Sequence, residues 1–394
     1  MNQIEKLTIF NKRVGPILGR HPWVFSRAII KIPEGLESGM PVLLYGEQNN
    51  FLAQGYFNSY SQIAVRIWGY DEKEKVDDEF FEKRISQALA IRKNFIDNKK
   101  TNAYRVINSE NDFLPGLIAD KYGDYLVLQF HTKGIEAWKD QIICAFKKIL
   151  KPKGIYERSD IRVRDIEEAD KKTGLLCGKV PEKIKISENG FKFWVNVISG
   201  QKTGFFLDQR DKRAALMKYC RGKTVLNCFS YTGGFSVYAL AAGAKKVVSL
   251  DSSRPALEVA KENIELNKLD LKKCEFICDD AKKYLRETRE KFDVIVLDPP
   301  AFVKDRKKLK EGIAGYKNIN EAAMRLLGPG GILATCSCSA HLSLRDFRFA
   351  LTEAAGRSKK SVQILETYTH GIDHVQLCSF SESEYLKCVF AIII

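Results

Sequence analysis

From about residue 190 onward, short apolar runs of strand length alternate with segments of helical period, and this alternation constrains the fold more than any other feature. The runs are Thr224–Phe229, Lys246–Asp251, Cys274–Cys278, Asp293–Asp298 and Ile332–Cys336, the last following a turn at Gly328-Pro-Gly-Gly331. Helical patterns stand between them at Phe235–Ala242 and Pro255–Asn267. Runs that are apolar on both faces and separated by helices predict a mostly parallel sheet with helices on both sides, an α/β, Rossmann-like fold. A β-rich segment, Leu386–Ile394, closes the series, and its FAIII run is too short to anchor a membrane.

The rest of the 394 residues leaves room for one or two further domains. Residues 1–75 read as a compact β-barrel, with strands at Pro41–Tyr45, Phe51–Phe57 and Ile63–Ile67 separated by turns. The acidic stretch Asp71–Glu79 reads as a linker. Residues 76–190 form an α+β middle segment. It starts with a helix from Phe80 to Lys93, on whose apolar face stand Phe81, Ile85 and Leu89. Strands at Tyr104–Ile107 and Tyr125–Phe130 and a helix around Ile135–Leu150 follow. The charged string Arg158–Lys172 has no apolar periodicity and is expected to be an exposed loop. Residues 191–394 make the third domain.

Lys and Arg number 64 against 49 Asp and Glu, a net charge of +15 (64 − 49). Such an excess fits a polyanionic partner, and it equally fits plain solubility. Lys12, Arg13, Arg20, His21, Trp23 and Arg27 cluster around the turn Gly19-Arg-His-Pro22. Basic residues around an aromatic grip phosphates and stack on bases, so Arg20 and Trp23 are candidate RNA contacts. The competing reading makes Trp23 a core residue and the charges a solvated face. With 45% hydrophobic residues but no run near the ~20 of a membrane helix, and no signal-peptide pattern, the chain reads as cytoplasmic. The ten cysteines include no CxxC pair, and Gly371 interrupts the spacing of His370 and His374, so no metal is expected.

Ligands of open α/β sheets sit beyond the carboxyl ends of the strands. The first run ends in Asn227-Cys-Phe-Ser-Tyr-Thr-Gly-Gly234, where small residues admit a ligand to the backbone and a helix N-terminus offers free N–H groups. The second ends in Asp251, 17 residues after Gly234, where a carboxylate suits the two hydroxyls of a ribose. The third ends in Asp279-Asp280-Ala281, suited to the exocyclic amine of an adenine. The alternative is a tight turn at Gly233 and Gly234 with Asp251 serving the helix start at Ser252–Ser253. The absence of GxGxxG disfavours a nicotinamide cofactor.

The fourth run leads into Leu297-Asp298-Pro-Pro-Ala-Phe302, where two prolines fix an extended bend behind the carboxylate. The fifth ends in Thr335-Cys-Ser-Cys-Ser339, and residues two apart on a strand share a face, so Cys336 and Cys338 are expected on one side. Thiolate is a capable nucleophile, although two buried apolar cysteines fit the same letters. The run Lys304, Arg306, Lys307, Lys308 and Lys310 suits phosphate contacts near such a site, or a solvated loop.

Asn227-Cys-Phe-Ser-Tyr-Thr-Gly-Gly, Leu297-Asp-Pro-Pro-Ala-Phe and Ser337-Cys-Ser339 together resemble the class I S-adenosylmethionine-dependent RNA methyltransferases. Among these the chain is most similar to the large-subunit ribosomal RNA cytosine-5 methyltransferases. Gly200-Gln-Lys-Thr-Gly-Phe-Phe-Leu-Asp-Gln-Arg210 resembles the segment that closes over their cofactor, and His21-Pro-Trp-Val-Phe-Ser26 resembles their RNA-binding PUA barrel. The likeness implies that S-adenosyl-L-methionine is held by Lys202, Thr203, Phe206 and Gln209, by Asn227, Phe229, Ser230, Tyr231, Thr232, Gly233 and Gly234, by Asp251 and Ser252, by Asp279, Asp280 and Ala281, and by Asp298 and Pro299. Arg20, Trp23, Lys304, Arg306, Lys307 and Lys308 would meet RNA. Two departures stand out: Asn227-Cys-Phe-Ser replaces the usual acidic-Gly-x-Gly, and Ala301 replaces a second cysteine that many relatives place after the prolines. The family's spacing, six residues between the Gly-Gly turn and the reactive cysteine, falls on Cys338 when counted from Gly331.

The resemblance implies a mechanism in which Cys338 adds to carbon 6 of cytosine and Asp298 supports the adduct from the ring-nitrogen edge. The target base must leave its stack to reach the thiol. For removal of the carbon-5 proton, Asp298, a water and the Asp373-His374 pair are all open. Two rival functions remain: methylation of a base nitrogen in guanine or adenine, which needs no thiol, and a non-catalytic RNA-binding role in ribosome assembly. A monomer and a homodimer are both compatible with the sequence.

Overall fold

The computed structural model describes residues 4–161, 163–167 and 169–394. Backbone contacts group the chain into two compact units. The first comprises residues 1–186, 195–207 and 372–381, and the second residues 187–194, 208–371 and 382–394.

Two sheets build the first unit. Strands β1 (Glu5–Ile9), β2 (Trp23–Phe25), β3 (Pro41–Gly46), β4 (Phe51–Phe57) and β5 (Ile63–Gly69) pair in the order β1-β3-β4-β5-β2. A bridge between Ile9 and Ile29, with Phe10 N donating to Ala28 O at 3.0 Å, draws the sheet round toward closure. Leu7, Val24, Val42, Leu44 and Val65 fill its interior. Gly55 lets β4 approach β5, since a Cβ there would lie 2.2 Å from the Arg66 carbonyl oxygen. The one-turn helix α1 (Gly15–Leu18) lies between β1 and β2 in the chain.

Helix α2 (Asp78–Phe95) starts where Asp77 accepts the Phe80 N–H, an N-cap that fixes the end of the acidic linker. The second sheet contains β6 (Ala103–Asn108), β7 (Leu117–Tyr122), β8 (Tyr125–Phe130), β9 (Gly154–Ser159) and β10 (Lys172–Gly178), ordered β10-β9-β8-β7-β6. The β8–β9 pair is parallel and therefore needs a crossover, which α3 (Lys133–Glu136) and α4 (Lys139–Leu150) supply. Trp68 centres the core beneath them, with ring centroids 5.2 Å from Tyr56, 5.8 Å from Phe80 and 5.7 Å from Trp138.

The expectation of an exposed loop at Arg158–Lys172 is corrected here. Arg158, Arg164 and Glu167 are buried, with Arg164 0% exposed, and a helical turn α5 (Val163–Ile166) runs through the segment. Arg66 joins Glu167 at 2.7 Å and Arg164 joins Glu136 at 2.7 Å. Charges paired inside a unit carry no apolar period, so the string reads as surface. Arg162 and Glu168 of that string lie outside the described residues.

The ribbon β11 (Ile184–Glu188) and β12 (Phe191–Val195) precedes the main sheet of the second unit. From there the chain runs α6 (Arg210–Leu216), β13 (Thr224–Cys228), α7 (Gly234–Ala241), β14 (Lys246–Asp251), α8 (Arg254–Leu266), β15 (Cys274–Cys278), α9 (Ala281–Glu287) and β16 (Phe292–Leu297). It continues through α10 (Leu309–Leu326), β17 (Leu327–Ser337), α11 (Leu344–Ser358), β18 (Val362–Tyr368) and β19 (Lys387–Ile393). The seven strands stand in the order β15-β14-β13-β16-β17-β19-β18. The first five are mutually parallel, and β19 is antiparallel to both neighbours. The chain steps outward from β13 to β14 and β15, then returns to β16 on the other side, so a topological switch point lies at β13.

The expected turn at Gly328–Gly331 falls inside the span of β17, between its pairing of Leu327 with Phe292 and of Ile332 with Val294. The chain folds tightly there, with Gly330 at φ +76° and a Cβ on Gly331 placed 2.8 Å from the Gly328 carbonyl oxygen. Among the described residues, no helix is long and apolar enough to cross a membrane.

Candidate active site

The turn after β13 is the most strained backbone in the second unit. Phe229, Tyr231 and Gly233 all have left-handed φ values, +58°, +47° and +77°. Left-handed non-glycine residues persist only where their surroundings impose them, and they gather at ligand sites. Here Asn263 of α8 donates to the Thr232 carbonyl at 2.9 Å, and Asp251 Oδ2 accepts the Tyr231 N–H at 2.8 Å. Gly233 is required on two counts: its φ, and a Cβ that would lie 2.8 Å from the Ala260 methyl.

Around this turn stand buried polar atoms with no partner among the described residues: Asn227 Oδ1, Ser230 Oγ and Thr232 Oγ1. The other end of Asn227 is fixed, its Nδ2 donating to Ser236 Oγ at 2.9 Å. Asp251 is half-buried, and its second oxygen accepts the Ser253 N–H at 2.9 Å while Ser253 itself caps α8. Both readings of Asp251 therefore hold in part: it shapes the helix start, and a carboxylate with two bonds still has acceptor sites to spare. Ser252 beside it is exposed. At the end of β15, Asp279 Oδ1 accepts the Asp280 N–H, Asp280 caps α9 through the Lys283 N–H, and Ala281 is buried.

The ends of β16 and β17 form one bonded assembly. Asp298 is half-buried and accepts from Gln209 Nε2 at 3.0 Å, while Gln209 Oε1 is buried without a partner among the described residues. Cys338, the first residue past β17, is half-buried and directs its thiol to the Pro299 carbonyl at 3.8 Å. Its neighbours Ser337 and Ser339 both bond the Tyr316 hydroxyl, at 2.8 and 2.9 Å. Ser339 Oγ also accepts the Val303 N–H at 3.1 Å, tying the cysteine turn to the proline loop.

Cys336 has different surroundings from Cys338. It is 0% exposed, paired in register with Cys388 of β19, and bonded to that thiol. The bond to Cys388, then burial, then the nearby Asp298 carboxylate push the Cys336 thiol well above its ordinary pKa. Lys212, wholly buried nearby, donates to the Asp208 carbonyl and is held below the usual lysine range by burial. Cys336 is thus the inert member of the pair and Cys338 the accessible one.

Comparison with known proteins places this geometry. A family model described as S-adenosylmethionine-dependent methyltransferase matches residues 159–375, and a PUA-like domain model matches residues 7–69. The ribosomal RNA large subunit methyltransferase I of Aliivibrio fischeri strain MJ11 is 44% identical over 372 residues, covering 93% of this chain and 94% of that protein. The protein of the same name from Klebsiella pneumoniae strain 342 is 41% identical over 386 residues, covering 97% and 96%. The chain belongs to the ribosomal RNA large subunit methyltransferase I family. In structure, a candidate SAM-dependent methyltransferase from Streptococcus mutans superposes with TM-score 0.84 at 26% identity, covering 99% of this chain and all of that one. A candidate methyltransferase complexed with SAH superposes with TM-score 0.86, also at 26% identity and with 99% and 100% coverage.

S-adenosylmethionine is the cofactor of this methyltransferase, and the residues present fit it. Asn227, Ser230, Thr232 and Gln209 each bury a polar atom that only a bound group or water can satisfy. The donor and acceptor set suits a zwitterion carrying a ribose and an adenine. Three residues expected to help, Lys202, Thr203 and Phe206, belong to the first unit. Thr203 is buried, donates to Asp120 Oδ2 at 2.7 Å and shares a 2.7 Å bond with the Tyr122 hydroxyl. Lys202 stacks its ammonium 4.5 Å over the Phe206 ring.

The first unit also carries a cavity of about 580 Å³ whose lining includes Arg13, His21, Trp23, Phe25, Arg27 and Gln62. Trp23 is half-buried there, its indole N–H donated to Glu110 at 2.8 Å and its ring 4.7 Å from Phe380, so it is an anchored cavity wall rather than a core residue. Arg20 lies outside that lining and stacks 4.0 Å over Tyr70. In the second unit Lys304, Arg306, Lys307, Lys308 and Lys310 are all exposed and follow Val303 directly. His370 acts as an acceptor for the Tyr385 and Leu386 N–H groups, both at 3.2 Å. In the first unit, Asp373 accepts the Arg105 N–H at 2.9 Å beside His374. Nothing in the sequence singles out Tyr316, Lys212 or Lys387. A tyrosine on an amphipathic helix reads as core, and a lysine at a strand end reads as surface.

Proposed function

We propose that this methyltransferase forms 5-methylcytosine in large-subunit ribosomal RNA, in the cytoplasm, through a covalent adduct between Cys338 and the target base. The supporting observation is the half-buried Cys338 thiol, 3.8 Å from the Pro299 carbonyl in the Asp298-Pro-Pro turn, while Cys336 is sealed against Cys388. Carbon 5 of cytosine is a weak nucleophile. The Cys338 thiolate forms a bond to carbon 6, and the ring double-bond electrons move toward carbon 5 as an enamine. Asp298, oriented by Gln209, hydrogen-bonds or protonates the ring-nitrogen edge and stabilises the adduct. The cofactor supplies an electrophilic methyl group on a sulfonium. Carbon 5 would take that methyl as its bond to the sulfonium breaks, the bonding pair staying on sulfur as a neutral thioether. A base then takes the carbon-5 proton, and the released electron pair restores the ring double bond as the bond from carbon 6 to the Cys338 sulfur breaks. The thiolate returns to its starting state.

Substrate contacts in this reading come from the basic, aromatic-lined cavity of residues 7–69 and from the exposed run Lys304–Lys310. The test is RNA containing 5-fluorocytosine, in which fluorine replaces the proton that must leave. A covalent protein–RNA complex is expected with the native chain and none with Cys338→Ala. The variant should lose turnover while binding S-adenosylmethionine normally. Turnover at native rates by Cys338→Ala would sink the adduct and leave base-nitrogen methylation as the better reading.

A further inference from the structure

Lys387 opens β19 opposite Ser337 and is only 2% exposed. Its Nζ donates to the Ser339 carbonyl at 3.2 Å and to the Glu384 carbonyl at 3.0 Å. These two bonds hold the backbone immediately after Cys338 and use two of the three ammonium N–H donors. Arg66, Arg92, Arg164 and Arg213 are also buried cations, and each has a carboxylate within ion-pair distance, whereas buried Lys212, beside Cys336, shares with Lys387 the lack of one among the described residues. Among the described residues no carboxylate lies that close to Lys387. A buried cation without a counter-ion is costly, and the fold keeps it where an anion can form.

We propose that Lys387 is a positioning residue for the reactive thiol: its buried ammonium supplies the positive charge that favours the Cys338 thiolate and fixes the turn that presents it. This rests on Cys338 being the nucleophile. The titratable and charged groups acting on the pair are Tyr316 from α10, beside Cys338, and Glu384 before β19, beside Lys387, while Asp298 directly precedes the Pro299 whose carbonyl meets the Cys338 thiol. Burial pulls Lys387 below the usual lysine range, while Glu384 and the Cys338 thiolate pull it back up, so the two groups favour each other's charged forms. Tyr316 grips the turn from the other side through Ser337 and Ser339.

The test is alkylation of the full chain, without RNA, by iodoacetamide across a range of about pH 6 to 10, read at each cysteine by peptide mass spectrometry. Exposed Cys144 and Cys378 serve as internal standards. In the native chain, the Cys338 midpoint is expected about one pH unit below theirs. Lys387→Met should raise it by about one unit or more, and Lys387→Arg should keep it low. An unmoved midpoint in Lys387→Met, even with slower turnover or a lower Tm, overturns the proposal. If Lys387→Met fails to fold, buried Cys220 and Cys228 become alkylated too. The native and Lys387→Arg chains then decide: a Cys338 midpoint no lower than the standards overturns it. Loss of the nucleophile assignment would show separately, as turnover by Cys338→Ala, and would leave the alkylation midpoints untouched.

Discussion

Tyr316 concentrates much of the site's order in one hydroxyl, which bonds Ser337 and Ser339 on either side of Cys338. Tyr316→Phe removes both bonds at little change in volume. The expected result is a loss of about tenfold in kcat, or ~1.4 kcal/mol, with S-adenosylmethionine affinity unchanged by calorimetry. Asp251→Ala should act the other way round, weakening cofactor binding by about tenfold or more while Cys338 alkylation stays normal. Asp251 and Cys338 could be singled out in the sequence because polar residues at the ends of apolar runs are conspicuous. Tyr316 and Lys387 could not. Their roles depend on which strand end each meets, and Lys387 meets Ser339 across 48 residues.

At the scale of elements, the turn between β13 and α7 is the most sensitive. Gly233→Ala imposes a left-handed Cβ and crowds Ala260, and should lower stability by about 1–3 kcal/mol in thermal unfolding. Asn263→Ala strands the Thr232 carbonyl and is expected to weaken cofactor binding without touching any residue at the reactive turn. The parallel strands were legible because each apolar run and its following helix are local patterns. Lys246–Asp251 and Cys274–Cys278 are strands with the expected bounds. Pairing order is not local. The insertion of β19 between β17 and β18 leaves no mark in the letters FAIII. The buried charges of the string Arg158–Lys172 misled for a related reason, since the partners of Arg164 and Glu167, which are Glu136 and Arg66, lie elsewhere in the chain.

Over the whole molecule, the +15 charge makes RNA affinity depend on salt. Replacing Lys304, Arg306, Lys307 and Lys308 together by Ala should reduce the slope of log affinity against log salt by up to about 3, at roughly 0.7–0.9 for each phosphate no longer neutralised. A slope equal to that of the native chain would mean that the run is a solvated loop. Stability should depend on pH through His131, whose Nε2 is buried without a partner among the described residues. Burial, aided by Arg105, Arg66 and Arg164 and opposed by Glu110, holds its imidazole down at about 4 from 6.5. The unfolded chain therefore takes up the proton first, and this contribution to stability is lost as pH falls from about 6.5 toward 4. Thermal unfolding at pH 7 and pH 5 should show a fall in Tm that His131→Phe reduces.

The position of β19 has a temporal consequence. A ribosome delivers β13 to β17, with the cofactor turn and Cys338, before it delivers the strand that completes the sheet beside them. Until Lys387 and Cys388 emerge, β17 has an open edge, Cys336 lacks its partner and the turn at Ser339 lacks its clamp. A nascent chain would thus hold the means to bind its methyl donor before the proposed nucleophile is braced, and competence would wait on the emergence of β19.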